Sequence, residues 1–247
     1  MVINLGLPKC QKRTHPPTYV TSIVSIKGLE VGFHGSPLLF IDDFHVNQGE
    51  ILAVTGPSGI GKTSLLRTIA GILRPISGTV DVCGARLPER PERGSIGYIP
   101  QKLGLVRHSS VWANVMLGSR AGNHRAESRE NAMSAIKDLG LEDKKNEPIK
   151  RLSGGQQRRV ATARTLAQRP ALILADEFLS ELDEETSEKV IHSVLEYVRS
   201  TKAAMILVEH DIPRAKEISD RLLVIDDGRL NPFLTDTSIM EVKNWYH

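Results

Sequence analysis

Apolar residues recur along this chain in two rhythms. Uninterrupted apolar runs at 51–54, 171–175 and 203–208 are too short for helices and lack polar alternation, so they predict strands buried on both faces. Residues 79–82, 96–99 and 221–225 predict further strands. The shorter stretches 22–26 and 38–41, set off by Gly, Pro and Asp-Asp signals, predict an antiparallel start. Helical spacing appears at 63–72, where Leu65, Leu66, Ile69 and Ile72 form the apolar stripe. It returns at 111–118, 125–139, 155–168, 184–199 and 213–218. Asp226-Asp227-Gly228 reads as a turn.

Strand, loop, helix and strand in that order predict a three-layer α/β core. Between about 102 and 168 the pattern is helical with almost no strand signal, which predicts a helical lobe inserted into that core. An antiparallel β subdomain is expected before it. Residues 1–20 contain no acid, Pro8, Lys9, Lys12, Arg13, Pro16 and Pro17 break every apolar run, and the segment reads as a disordered or loosely attached tail rather than a secretory signal. The remainder, 21–247, reads as one domain carrying its lobe.

Composition narrows the class. With 40% hydrophobic and 25% charged residues the chain is an ordinary globular protein, and a net charge of +3 over 247 residues does not describe a nucleic-acid-coating surface. No apolar run reaches the length of a membrane span. Cys10 and Cys83 have neither C-x-x-C spacing nor a disulfide framework, so a reducing cytosol is expected.

The run at 51–54 is followed by "GPSGIGKTS", 56–64, which satisfies G-x-x-x-x-G-K-[ST] at Gly56, Gly61, Lys62 and Thr63. The glycines allow successive backbone N–H groups to point inward, and the next helix adds its positive N-terminal end, which together make an anion cage. "ALILADE" places Asp176 and Glu177 at the carboxyl end of a buried strand, the edge of an open α/β sheet where ligands bind. Asp176 and Thr63 offer hard oxygen ligands suited to Mg²⁺, leaving Glu177 to face a water. "LSGGQQRR", 152–159, starts a helix with Ser153 as a plausible cap.

Taken together these segments resemble the ATP-binding subunit of an ABC (ATP-binding cassette) transporter. The resemblance runs from about residue 26 to 230, with every motif in family order: "GPSGIGKTS" as the Walker A loop, "YIPQ" ending at Gln101, "LSGGQ" as the signature, "LILADE" as Walker B, "SELD" ending at Asp183, and "VEHD" with the switch residue His210. It implies an ABC-type P-loop NTPase fold and an active Mg-dependent ATPase. Lys62 is then expected to reach the β- and γ-phosphates. Gly59, Gly61 and Lys62 should cradle them within the loop that also contains Gly56 and Ser58, and Thr63 or Ser64 should serve Mg²⁺ and the α-phosphate. Glu177 resembles the general base, His210 the γ-phosphate contact and Gln101 the sensor of metal and water. Phe33 sits where the family stacks an aromatic on adenine.

Ser153 and Gly155 are expected to act on the ATP held by a second subunit, with Asp183 in the neighbouring loop, so the implied active unit is a head-to-tail homodimer or heterodimer. An integral membrane transport subunit, with or without a solute-binding protein, is the other implied partner. That places the chain in the cytoplasm, peripheral on the inner face of the membrane, and nucleic acid is not expected as a partner. The lobe resembles the one that receives a coupling helix from the membrane subunit, and no regulatory barrel of the sugar-importer kind is expected after Leu230. The other reading is an ABC ATPase that signals to a membrane partner without transport, as in cell division. Soluble repair or translation factors typically carry a second cassette, a long coiled coil or zinc-binding cysteines, none of which is seen.

Two departures from the family pattern stand out. Phe178 occupies the place of a common proline, and Glu209 precedes His210 where a small polar residue is usual. Glu209 is expected to face solvent. His108, His124 and His192 read as surface or cap residues, Met116, Met133 and Met205 as core, and 124–130 as a solvated helix face.

Overall fold

A computed structural model describes residues 22–33, 35–121, 123–179 and 182–233. The expected tail lies outside the described residues. So do Ser180 and Glu181 of the "SELD" stretch.

Among the described residues ten strands form a single sheet. In chain order they are β1 (Ser22–Phe33), β2 (Ser36–Asn47), β3 (Ile51–Thr55), β4 (Ser77–Val82), β5 (Ala85–Arg86), β6 (Ile96–Ile99), β7 (Leu172–Asp176), β8 (Ala204–Val208), β9 (Arg221–Asp226) and β10 (Arg229–Pro232). The helices are α1 (Lys62–Ile69), α2 (Val111–Ser119), α3 (Arg125–Asp138), α4 (Gly154–Leu166), α5 (Glu184–Thr201) and α6 (Ile212–Ile218). The sheet order is β5-β4-β1-β2-β10-β9-β3-β8-β7-β6. β3 pairs in parallel with β8 and β9, and β7 with β8 and β6, while β1 pairs antiparallel with β2 and β4.

The predicted antiparallel start is therefore real but longer than expected. Each arm of the β1–β2 hairpin has 12 residues, because pairing runs on past the exposed Asp42 and Asp43 and through the half-buried Glu30, where the apolar alternation is interrupted. β5 and β10 carry no sequence signal strong enough to predict. β10 matters because it joins the antiparallel arm to the parallel core: Phe40 N–H donates to the Gly228 carbonyl at 2.7 Å.

The central strands sort their residues by parity. Ile51, Ala53, Ile173, Ala175, Met205 and Leu207 pack with α2, α3, α4 and α5. Leu52, Val54, Leu172, Leu174, Ile206 and Val208 pack with α1 and the β1–β2–β4 arm. This is why those runs lack polar alternation. Both faces are covered, giving three layers. The lobe helices α2, α3 and α4 share their core with the sheet face that α5 covers.

Two apolar expectations fail here. α1 ends at Ile69, with Gly71 at positive φ beyond it, so Ile72 leaves the stripe and is 65% exposed. Met133 lies on the outer side of α3 and is 43% exposed, whereas Met116 and Met205 are buried. Ser128, within the 124–130 stretch, is buried, tied by its hydroxyl to the His124 carbonyl at 3.0 Å.

Candidate functional site

Parallel register brings the carboxyl ends of the central strands level. Val54 is paired with Val208, and Val208 with Asp176, so the residues that follow, Gly56, Glu177, Glu209 and His210, emerge at one edge. Ile99 pairs with Ala175, which brings Gln101 to the same edge.

The loop after β3 is built for close approach by an anion. Gly56, Gly59 and Gly61 all take positive φ, which an L side chain resists. A Cβ on Gly56 would fall 2.5 Å from the Ile225 carbonyl oxygen, so that glycine is also required sterically. Lys62 opens α1 and is buried, and its Nζ donates to the carbonyls of Gly56 at 2.6 Å and Pro57 at 2.8 Å. Burial lowers its ammonium below the ordinary value, opposed by the carboxylates of Glu177 and Asp176.

Next to it, the Thr63 hydroxyl donates to Asp176 Oδ1 at 3.1 Å, and the Tyr98 hydroxyl reaches Asp176 Oδ2 at 3.2 Å. Asp176 is 2% exposed, and burial raises its carboxyl, offset by the Thr63 and Tyr98 bonds. Burial also pushes the Tyr98 phenol up to about 12, so it remains a donor. A buried carboxylate paired with a hydroxyl is the donor set a hard cation prefers once phosphate oxygens complete its shell. Among the described residues no group of three or more His, Cys, Asp or Glu could hold a metal without such help.

Glu177 sits at φ +48°, a left-handed conformation uncommon for a side chain of this size, and such positions cost on the order of 1–3 kcal/mol unless their surroundings fix them. Here they do. Its N–H donates to Val208 O at 3.1 Å, and Arg158, buried on α4, reaches its carbonyl at 3.4 Å. The carboxylate is held on both oxygens, by Gln101 Nε2 at 2.7 Å and by His210 Nε2 at 2.5 Å. The structure thus brings Lys62, Thr63, Gln101, Asp176, Glu177 and His210 into one cluster.

Other candidates stand around it. Ser64 is buried in α1 behind the loop. Ser58 lies in the loop between Gly56 and Gly59, and Phe33 ends β1 with 46% exposure, an open aromatic face. Ser153 caps α4 in a capping box with Gln156, its hydroxyl accepting from the Gln156 N–H at 3.3 Å, while Gly155 approaches Leu182. Asp183 caps α5 through the Thr186 N–H at 2.9 Å, and that bond lowers its carboxyl.

Glu209 corrects the expectation that it faces solvent: it is 7% exposed. Leu207 faces the helical core, and alternation turns Glu209 the same way. Burial raises its carboxyl to about 7, partly offset by the Arg214 charge, and Glu177 adds to the rise. Since the folded value lies above the ordinary 4.5, the stability this group contributes is fully present below about pH 4.5 and is lost as pH rises to about 7. Glu209→Gln is therefore expected to be more stable than the parent at pH 8 by about 2–3 kcal/mol, with the advantage vanishing near pH 4.5. Urea denaturation at several pH values checks this.

Tyr98 and Arg158 are site residues to which the motifs gave no role, and Glu209, noted beside His210, was expected in solvent. Tyr98 could have been found by parity, since it pairs with Leu174, two residues before Asp176, on a strand adjoining β7. Arg158 carries no such signal.

The ABC transporter family matches residues 40–180. The chain is 35% identical over 222 residues to the L-cystine transport system ATP-binding protein of Escherichia coli (strain K12), covering 85% of this chain and 88% of that one. It is 36% identical to the methionine import ATP-binding protein of Rhizobium etli over 87% of this chain, and spans 62% of that longer protein. A solved dimeric ATP-binding cassette in a post-hydrolysis state, bound to ADP and Pi, superposes with a TM-score of 0.72 at 27% identity, covering 86% of this chain and 99% of that one. A solved ATP-binding subunit of an ABC transporter gives a TM-score of 0.78 at 24% identity over 90% and 94% of the two chains, a likeness of fold. On these matches and its motifs, the chain belongs to the ABC transporter family, as an ATP-binding subunit.

Proposed function

We propose that this subunit hydrolyses ATP in the presence of Mg²⁺ at the interface of a head-to-tail dimer, and that the hydrolysis drives solute transport through a separate membrane subunit. The observation that carries the hydrolysis is the Glu177 carboxylate, fixed on both oxygens by Gln101 and His210 beside the buried Lys62.

Each side chain takes its role from where it sits. Lys62 exchanges its loop carbonyls for the β- and γ-phosphates, while the N–H groups of Gly59, Gly61 and Lys62 cradle the chain of phosphates, with Gly56 and Ser58 shaping the loop. Thr63 and Asp176 are the residues that would hold Mg²⁺, with Gln101 as a further ligand to sense it, and Ser64 would serve the α-phosphate. The cation, when bound, neutralises charge on the transferring phosphoryl group. Glu177 orients a water and accepts its proton, and His210 holds that carboxylate and contacts the γ-phosphate. Phe33 offers its face to adenine.

Ser153, Gly155 and Asp183 serve the ATP of the opposite subunit. The Ser153 hydroxyl accepts one hydrogen bond within its own chain and keeps its proton to donate. The solved dimeric relative supports this arrangement. Among the described residues no helix is long and apolar enough to cross a membrane. The helical lobe, α2 to α4, is the proposed seat for a membrane partner. Import is favoured by the relatives named for import, and the bound position is peripheral, on the cytoplasmic face.

Glu177→Gln protein, held with ATP and used to pull partners from detergent-solubilised membranes of its own cells, is expected to recover a polytopic membrane protein, with or without a solute-binding protein. Recovery of a homodimer alone, or of a cytosolic partner, overturns transport and favours signalling.

A further inference from the structure

Gln101 reaches Glu177 from a stretch of chain that belongs to no element. Residues 101–105 are neither helix nor strand, so the side chains around them set their course. On one side β6 is paired with β7 as far as Ile99. On the other, the Val106 N–H donates to Asn114 Oδ1 of α2 at 2.8 Å. Between these two anchors stands Arg164 of α4. Its Nη2 donates to the Leu103 carbonyl at 2.7 Å and its Nη1 to the Gly104 carbonyl at 2.9 Å. Gln101, two residues before Leu103, donates through Nε2 to Glu177 Oε2 at 2.7 Å.

The arrangement suits a guanidinium. Carbonyls of two consecutive residues are met by two N–H groups of one planar fork, a fixed pair of donors that a flexible lysine stem does not offer. How those carbonyls point relative to each other is set by the dihedrals of Gly104, whose φ of +56° favours glycine. The stem of Arg164 is held as well. Gly118 of α2 lies so close that a Cβ there would fall 2.0 Å from the Arg164 carbonyl oxygen and 2.8 Å from its Cγ. The residues that follow tie α4 to β6: Thr165 Oγ1 donates to the Tyr98 carbonyl at 3.4 Å, and Gln168 Nε2 to the Ile96 carbonyl at 2.5 Å. Earlier on the same helix, Arg158 reaches the Glu177 carbonyl. Both partners of the Gln101–Glu177 contact are thus held from α4.

We propose that Arg164 is a positioning residue of the ATPase site, whose fork on the Leu103 and Gly104 carbonyls holds the segment that presents Gln101 to Glu177. This rests on the ATPase reading. Arg164 touches neither phosphate nor water in that reading and acts through Gln101. Charge-assisted bonds are the stronger kind, and without them the segment has no ladder of its own to hold its course. Gln101 then takes up positions away from Glu177, which lowers the fraction of molecules aligned for hydrolysis and leaves the phosphate loop as it was.

The full chain as wild type, Arg164→Leu, Arg164→Lys, Gln101→Ala, Arg164→Leu combined with Gln101→Ala, and Glu177→Gln tests this by steady-state ATP turnover and by backbone NMR relaxation without nucleotide. Arg164→Leu is expected to lower kcat at least about fivefold while KM for ATP changes less than about twofold, as misalignment without lost binding requires. In the Gln101→Ala background the same substitution should cost less than about twofold further, because the group it positions is gone. A merely structural role would cost as much in both backgrounds. The backbone order parameters of Leu103 and Gly104, about 0.85 where a chain is rigid, should fall below about 0.6 in Arg164→Leu. Arg164→Lys keeps the charge but not the fork. It is expected to shift every reading the same way and by less, and it decides the matter if the leucine chain does not fold.

A smaller loss of kcat, a larger change in KM, a larger further loss in the double variant, or order parameters that stay high overturns the proposal. A wild-type chain no more active than Glu177→Gln overturns the ATPase reading instead, and the order parameters of Leu103 and Gly104 still decide whether Arg164 holds the segment.

Discussion

Glu177→Gln is expected to lower ATP turnover by roughly 10²- to 10⁴-fold, equivalent to about 3–5 kcal/mol in the barrier, while leaving nucleotide affinity intact or raised. The amide preserves the volume of the side chain and the left-handed backbone at this position, so the loop should keep its course. What it removes is an ionised acceptor for the water's proton. The negative charge also goes, and with it a repulsion against the γ-phosphate at a site where Asp176 is already buried nearby. The two effects separate in measurement: phosphate release reports the first, equilibrium nucleotide binding the second. If turnover stayed within about threefold of the parent, proton acceptance would have to be reassigned to His210, whose Nε2 lies 2.5 Å from Glu177 Oε1.

The phosphate loop was legible in the sequence because its chemistry is local. Glycines that must take positive φ and a lysine that must open the following helix are fixed within nine consecutive residues. The strands that bring Asp176, Glu177 and His210 to that loop were legible for another reason. Runs without polar alternation have to be covered on both faces, and parallel strands so covered expose ligands at their carboxyl edge. The long β1–β2 hairpin was harder to see, since its solvent-facing acids interrupt the apolar count on which strand detection rests. β10 was harder still, because a strand of four residues with a terminal proline has almost no pattern of its own.

Glu209 shows a different limit. Its charge argued for solvent, but its place two residues after Leu207, directly beyond a strand buried on both faces, argued for the interior, and the second consideration prevails. Tertiary burial of this kind depends on what α5 and α6 cover. Met133 errs in the opposite sense: it is an apolar residue on a helix that has only one covered side. Residue type decided both expectations, whereas position on the element decides the outcome.

Lys62→Ala is expected to weaken ATP binding by about 10²- to 10³-fold, which corresponds to the loss of roughly two charge-assisted hydrogen bonds from the phosphates. Nothing else in the loop carries a positive charge, since its remaining donors are hydroxyls and backbone N–H groups. Before nucleotide arrives the same ammonium holds the Gly56 and Pro57 carbonyls, so alanine also leaves those two acceptors without their donor. Part of the measured loss will therefore be a loop less ready to bind. Lys62→Arg separates the two contributions. Arginine restores the charge, but its guanidinium is broader and planar, and the lysine lies buried between those carbonyls. If charge alone were responsible, arginine would recover most of the affinity. A compact donor fitted to this loop predicts instead that Lys62→Arg binds ATP nearly as weakly as Lys62→Ala, which calorimetric titration of both variants against wild type will decide.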